Sequence, residues 1–205
     1  MSAKFIVIEG LDGSGKTTQI RLLAAELKQL GRKVAETAEP TASSTGGLVR
    51  AALSGFTSRT GTEIAALFMA DRVAHNVNPV NGIEKMLADG RDVICDRYYY
   101  SSLAYQGTVS DPEWVYRINI DCPQIRKPDL CIFLNLDDEA CIRRMESGRS
   151  FREIYEDENT LIAVRKRYFE AFRRLEGRDR IVIVNADRTP EEVAADVFAA
   201  VTEIL

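Results

Sequence analysis

Histidine and tryptophan occur once each in 205 residues, and the four cysteines, Cys95, Cys122, Cys131 and Cys141, show no C-x-x-C spacing. That scarcity speaks against a zinc site and against a disulfide framework. Cys95 and Cys131 fall inside the apolar runs "DVICD" and "DLCIFL", where a reduced thiol packs as a small hydrophobe. No run approaches 18 apolar residues, and the N-terminal "MSAKFIVIEG" is interrupted at Glu9, too soon for a signal-peptide core, so the expected location is the cytoplasm, with no membrane partner. Positive charge is not in excess: 27 Lys and Arg against 31 Asp and Glu leave a net charge of −4, and nucleic acid is not an expected partner. Any phosphate must therefore be held locally. With 6 Pro, 13 Gly and 45% apolar residues, the composition is that of a globular chain, expected to form one domain over residues 1–205.

What the chain does have is alternation. Short apolar runs at 4–9, 33–37, 92–96, 129–136 and 181–186 read as strands, separated by helical periodicity at 16–31, 62–77, 79–90, 138–148, 153–176 and 189–205 and by a polar-aromatic helical segment near 100–106. Five buried strands between helices predict an α/β fold: a five-stranded parallel sheet with helices on both faces. Pro79 should stop a helix at its predecessor, and Gly31 and Gly90 stand where helix ends favour a residue tolerant of positive φ. Residues 107–128 mix turn signals with apolar residues and are read as one short helix of undefined boundaries.

The first strand runs into "GLDGSGKTT". Gly10, Gly15, Lys16 and Thr17 match G-x-x-x-x-G-K-[ST] in the context the motif requires, after a strand and opening a helix. Glycines let backbone N–H groups approach phosphate oxygens, and the helix N-terminus adds a favourable dipole. Lys16 can bridge terminal phosphates and the Thr17 hydroxyl can ligate Mg²⁺. Gly10, Leu11, Asp12, Gly13, Ser14, Gly15, Lys16, Thr17 and Thr18 are thus assigned to the triphosphate of ATP. A structural strand-to-helix turn is the simpler alternative, but four fixed positions match by chance in only roughly 1% of chains this long. The expected architecture is therefore the P-loop NTPase fold.

The loop alone does not separate kinases from GTPases and motor ATPases. No D-x-x-G switch or N-K-x-D base-reading motif follows it. "ICDRYYYSSLAYQG" does follow, with Asp96 ending the third predicted strand, where an acid can organise magnesium waters, and Arg97 entering the crevice at the carboxyl edge of the sheet.

With "FIVIEGLDGSGKTTQ", the Glu-Pro of "TAEP", the F-x-x-x-R of "LFMADR", "DRYYYSSLAYQG", "KPDLCIFL", "GRSFREIYE" and "VNADRTPEEV", nearly the whole chain resembles the thymidylate kinases, which phosphorylate dTMP with ATP. By spacing alone, Phe68 and Arg72 read as a core aromatic with a snorkelling arginine on one helix face. The resemblance implies instead that Phe68 stacks on thymine and Arg72 reaches its carbonyl edge. Ser101, Ser102, Tyr105 and Gln106 are equally well read as a solvated polar helix; the resemblance implies contacts to the base, with Tyr105 packed where a ribose 2′-OH would lie. Asp12, otherwise a turn residue, matches the family's acid beside the sugar 3′-OH and the acceptor phosphate. Glu39 of the Glu-Pro pair joins the substrate set.

Arg149 and Arg152 lie on a compact basic lid, about 147–153, and are assigned with Lys16 and Arg97 to the charge of the transferred phosphoryl group. Arg143 and Arg144 are read as complementing a helix C-terminus. The loop carries Ser14 where some relatives carry arginine, so that cation must come from the lid. One departure concerns the acceptor phosphate: many bacterial relatives read R-E-P where this chain reads "TAEP", so Ala38 leaves that phosphate to Arg50 or Arg97. The lone His75 is read as a solvated helix residue. The expected reaction is ATP- and Mg²⁺-dependent phosphorylation of dTMP to dTDP, with Thr17 and Asp96 at the metal, in a homodimer, as the resemblance implies. The alternatives are another deoxynucleotide or nucleoside kinase of the same fold, or a non-catalytic nucleotide-binding regulator.

Overall fold

The computed structural model describes residues 2–136, Ala140 and 158–205, with 158–160 described by backbone alone. The expected helix at 138–148 apart from Ala140, the expected lid at 147–153 with Arg149 and Arg152, and Arg143, Arg144 and Cys141 lie outside the described residues.

Five strands form one parallel sheet in the order β2-β3-β1-β4-β5. β1 (Phe5–Gly10), β3 (Arg91–Asp96) and β4 (Leu130–Asn135) are interior and buried on both faces, as their unbroken apolar runs require. The edge strands β2 (Lys33–Ala38) and β5 (Ile181–Asn185) are more polar or more exposed. The fold is therefore the α/β arrangement that the alternation predicts. Ile8 sits opposite Asp96 on one side and Ile132 on the other, so the carboxyl ends of the three central strands open into one crevice.

Around the sheet lie α1 (Lys16–Gln29), α2 (Ser44–Leu53), α3 (Gly61–Val77), α4 (Ile83–Ala88), α5 (Tyr99–Val109), α6 (Pro112–Ile120), α7 (Glu158–Arg174) and α8 (Pro190–Thr202). Local chemistry sets several of their starts. Thr60 with Glu63 and Thr189 with Glu192 form capping boxes for α3 and α8, and Asp111 caps α6 ahead of Pro112. α3 ends at Val77, two residues before Pro79, and Gly31 and Gly90 take φ values of 77° and 74°. α2 went unread in the sequence because its Ser, Thr and Gly residues hide the apolar period. The signal for it is Ser43, whose side chain accepts from the Gly46 N–H.

α5 is the element that positions the site. It packs against α3, α6 and α7, and residues 99–107 are all buried. The reading of this stretch as a solvated polar helix is thereby overturned, because its hydroxyls and amide are enclosed by three neighbouring helices. His75 is likewise not solvated; it is buried at 8% exposure.

Candidate active site

The loop between β1 and α1 is a turn with no room for side chains at its start. A Cβ on Gly10 would lie 2.5 Å from Ser14 Oγ and 2.9 Å from the Leu134 carbonyl, at a φ of 153°. Gly15, at φ 94°, is the N-cap of α1 and supplies no side chain to it, so the first amides of α1 are left for an anion. Lys16 is folded back over this loop, its Nζ donating to the carbonyls of Gly10 (3.1 Å) and Leu11 (3.0 Å) and lying 3.8 Å from Asp12 Oδ1. Burial, then the nearby Arg97 charge, pushes its pKa below the ordinary value. Such a lysine gains from a phosphate that restores favourable charge around it. Thr17 is exposed and Thr18 half-buried at the loop's edge.

Arg97 follows β3 in a left-handed conformation, φ 66°. Its Nη2 donates to Asp12 Oδ1 at 2.8 Å and its Nη1 to Ser101 Oγ at 3.1 Å, with its guanidinium carbon 5.2 Å from the centre of the Tyr105 ring. Behind this pair is a residue the sequence reading passed over. Glu9, fully buried, accepts from the N–H groups of Tyr98 (2.8 Å) and Ser101 (3.1 Å) through one oxygen. Its other oxygen accepts from Ser101 Oγ (2.8 Å) and Tyr168 Oη (2.9 Å). Glu9 thus does for the N-terminus of α5 what a local cap does elsewhere, since Tyr98 makes no side-chain cap. Burial raises the pKa of Glu9, partly offset by Arg97 and by the donors around it. The visible signal was a single charge ending an otherwise apolar strand.

A second cluster gathers around Arg72, which is 1% exposed. Its Nε donates to Glu39 Oε2 at 2.8 Å and its Nη2 lies 2.7 Å from the same oxygen. Its Nη1 donates to Ser102 Oγ at 3.1 Å and to Asn119 Oδ1. Tyr98 lies beneath, with its ring centre 5.3 Å from the guanidinium carbon. His75 Nδ1 meets the other oxygen of Glu39 at 3.0 Å. A structural arginine snorkelling to solvent is not what the helix carries. Asn119, from the stretch whose elements were unreadable, and His75, one turn beyond Arg72, both belong to this cluster and were missed.

The other expected residues fall as follows. Phe68 is 9% exposed on the same helix face as Arg72, and Tyr105 and Gln106 are buried on α5. Arg50 Nη1 donates to the carbonyls of Pro40 and Thr41, bracing the loop before α2. Asp71 secures that loop as well, accepting from the Thr41 N–H and from the hydroxyls of Thr41, Ser43 and Thr45. Among the described residues no group of three or more His, Cys, Asp or Glu side chains is disposed to hold a metal. Asp96 Oδ1, however, is buried with no hydrogen-bond partner among the described residues, and it stands at the end of β3, beside the end of β1. An orphaned carboxylate oxygen next to the phosphate loop suits a hydrated Mg²⁺.

A family model for thymidylate kinase matches residues 8–197. A protein of Pyrococcus horikoshii named "Probable thymidylate kinase" is 38% identical over 98% of this chain and 97% of its own length. Proteins of the same name from Methanocaldococcus jannaschii and Methanothermobacter thermautotrophicus are 35% and 37% identical, over 98% and 94% of this chain and 96% and 91% of their own lengths. The phosphate loop, the Arg97–Asp12 pair and the Arg72 cluster are thus found in a chain that belongs to the thymidylate kinase family.

Proposed function

We propose that this chain transfers the γ-phosphoryl group of ATP to dTMP, yielding dTDP and ADP, with the triphosphate on the loop at 10–18 and the acceptor in the pocket of Phe68, Arg72 and residues 97–106. The observation that carries the residue assignment is the double role of α5. Ser101 bonds to Glu9 and Arg97, while the adjacent Ser102 bonds to Arg72. One short helix thereby ties a cation beside the phosphate loop to the Arg72 guanidinium, in a rigid element that fixes their separation.

In this reading Lys16 leaves its two carbonyl partners for the phosphates, and Arg97 steadies the acceptor phosphate while keeping Asp12 turned toward the sugar. Phosphoryl transfer needs positioning and charge neutralisation more than a strong base, which fits a site whose acids, Asp12 and Glu9, are both committed to Arg97 and its helix. Arg72 Nη2 carries two N–H bonds and lies 2.7 Å from Glu39 Oε2; in this reading one of the two turns to a base carbonyl, and Tyr105 closes the deoxyribose side. Mg²⁺, when bound near Thr17 and Asp96, supplies positive charge to the phosphate oxygens. Arg149 and Arg152, outside the described residues, are assigned to the transferred group on the sequence alone.

The same proposal takes residues 1–205 as one catalytic domain, with its lid at 147–153, acting in the cytoplasm as a homodimer. Among the described residues no helix is long and apolar enough to cross a membrane. Dimerisation is tested by light scattering. The reaction is tested by an acceptor panel of dTMP, dUMP, dCMP and thymidine with ATP, reading diphosphate product. dTMP should rank first. Another acceptor in that place would overturn the assignment, and absence of product with every acceptor would leave a nucleotide-binding regulator.

A further inference from the structure

The one histidine of the chain takes no part in the phosphate chemistry, yet it is buried and bonded at both ring nitrogens. Nδ1 lies 3.0 Å from Glu39 Oε1 and Nε2 lies 2.7 Å from Thr37 Oγ1. The side chains of Glu39 and Arg72 are each 1% exposed and that of His75 is 5% exposed. Because a carboxylate only accepts, the Nδ1 proton points at Glu39, and in the neutral ring Nε2 accepts from the Thr37 hydroxyl. The two oxygens of Glu39 are thereby divided: Oε2 faces Arg72 and Oε1 faces His75.

A glutamate carboxyl turns freely about its terminal torsion, which is broad and two-fold. Held only by Arg72, it could rock and let the guanidinium tilt with it. Held also by His75, it is pinned to β2 through Thr37 and to α3 through the imidazole. The opposite end of the guanidinium is fixed in the same way. Asn119 Nδ2 donates to the Val115 carbonyl at 2.8 Å, which turns Asn119 Oδ1 toward Arg72 Nη1, and Ser102 Oγ accepts from the same nitrogen. The arginine is set from both sides by groups that themselves have fixed orientations.

We propose that His75 is a positioning residue for recognition of the acceptor base: through Glu39 it holds the Arg72 guanidinium in the single orientation that reads a pyrimidine carbonyl edge. This rests on the reading that Arg72 faces the base. Discrimination between an acceptor carbonyl and an amino group at that edge depends on the direction of the N–H bonds, so a loosened Arg72 loses selectivity as well as affinity.

The test uses the full chain with His75→Leu, which removes both bonds, His75→Asn, whose amide nitrogen can replace Nδ1 toward Glu39, Thr37→Val, and Arg72→Lys as the reference. kcat and KM for dTMP and for ATP, and the dTMP to dCMP ratio of kcat/KM, are measured for each. His75→Leu should raise KM for dTMP and narrow the dTMP preference, each by about tenfold, the equivalent of one lost buried hydrogen-bond partner. It should spare KM for ATP, and His75→Asn should recover most of the loss. If His75→Leu does not fold, Thr37→Val, which frees the ring at one nitrogen only, should show the same split in smaller measure. A folded His75→Leu with unaltered KM for dTMP and unaltered preference overturns the inference, as does an equal rise in both KM values with no recovery in His75→Asn. An Arg72→Lys enzyme with unchanged KM and preference would instead overturn the reading of Arg72 on which the inference stands.

Discussion

Arg97 reaches across 85 positions of chain to set its Nη2 2.8 Å from Asp12 Oδ1, and it does so from a left-handed backbone at φ 66°. A non-glycine residue pays roughly 1–2 kcal/mol for that conformation, tolerated here because the Arg97 N–H donates to the Ile8 carbonyl at 3.0 Å and the side chain is drawn to Asp12. Strain held at such a point is a feature of functional sites. Arg97→Gly removes the guanidinium and relaxes the backbone, whereas Arg97→Ala removes the guanidinium and keeps the strain. Both variants should lose about 10²–10³ in kcat. Thermal unfolding should place Arg97→Gly above Arg97→Ala by about 1 kcal/mol. Near-normal turnover in either would remove Arg97 from the transfer step.

Lys16→Met tests the loop itself. Lys16 Nζ donates to two buried loop carbonyls, those of Gly10 and Leu11, and methionine fills the space of the side chain without those bonds. Turnover should fall by about 10² or more, while stability without nucleotide falls only by about 1–3 kcal/mol for the carbonyls left unpaired. The stabilisation that ATP confers on the wild-type chain should shrink in the variant, read by thermal shift with and without nucleotide.

Glu9→Gln separates stability from function. The folded chain holds the Glu9 proton more tightly than the unfolded chain does, because burial lifts its pKa above 4.5. Its favourable contribution is therefore complete below about pH 4.5 and is lost as pH rises through the raised value. Glutamine cannot ionise. Its amide oxygen can accept from the Tyr98 and Ser101 N–H groups, and its NH₂ can face the two hydroxyls, which rotate to accept. The stability difference between Glu9→Gln and wild type should grow from pH 4.5 upward to about 1 kcal/mol or more in favour of the variant. The loss of turnover should be smaller than in Arg97→Gly. A variant less stable than wild type at neutral pH would show that the ionised carboxylate is what the site requires.

How much of this was readable beforehand follows from which interactions are local. The strands were legible because interior strands of a parallel sheet must be apolar along their whole length, and the phosphate loop because its glycines and lysine act within eight residues. The partners of Arg72 were not, because Glu39, Ser102 and Asn119 are separated from it by 33, 30 and 47 positions, and no periodicity records such pairings. The bonds of Arg50 to the carbonyls at 40 and 41 were hidden for a related reason, since they depend on how the loop before α2 folds back and not on any spacing along the chain. His75 was misread because a lone polar residue on an amphipathic helix usually faces water, and only the fold reveals a buried carboxylate opposite it.

Asp96 is the last point at which structure and chemistry can be made to disagree. Its Oδ1 is buried without a hydrogen-bond partner among the described residues, although an orphaned carboxylate oxygen costs about 1–3 kcal/mol or more. Such a cost is offset if a hydrated cation, or Lys16 on its way to the phosphates, completes the site in the working enzyme. The two possibilities diverge in Asp96→Asn, which preserves shape and removes charge. If Asp96 orders the waters of Mg²⁺, the variant should need about 10–100 times more Mg²⁺ for half-maximal turnover, with KM for dTMP unaltered, and saturating Mg²⁺ should restore most of kcat. If Asp96 serves only to steady Lys16, the Mg²⁺ requirement should stay where it is and KM for ATP should rise instead. A magnesium titration at fixed free ATP distinguishes the two, and an unchanged half-saturation point would take Asp96 out of the metal site.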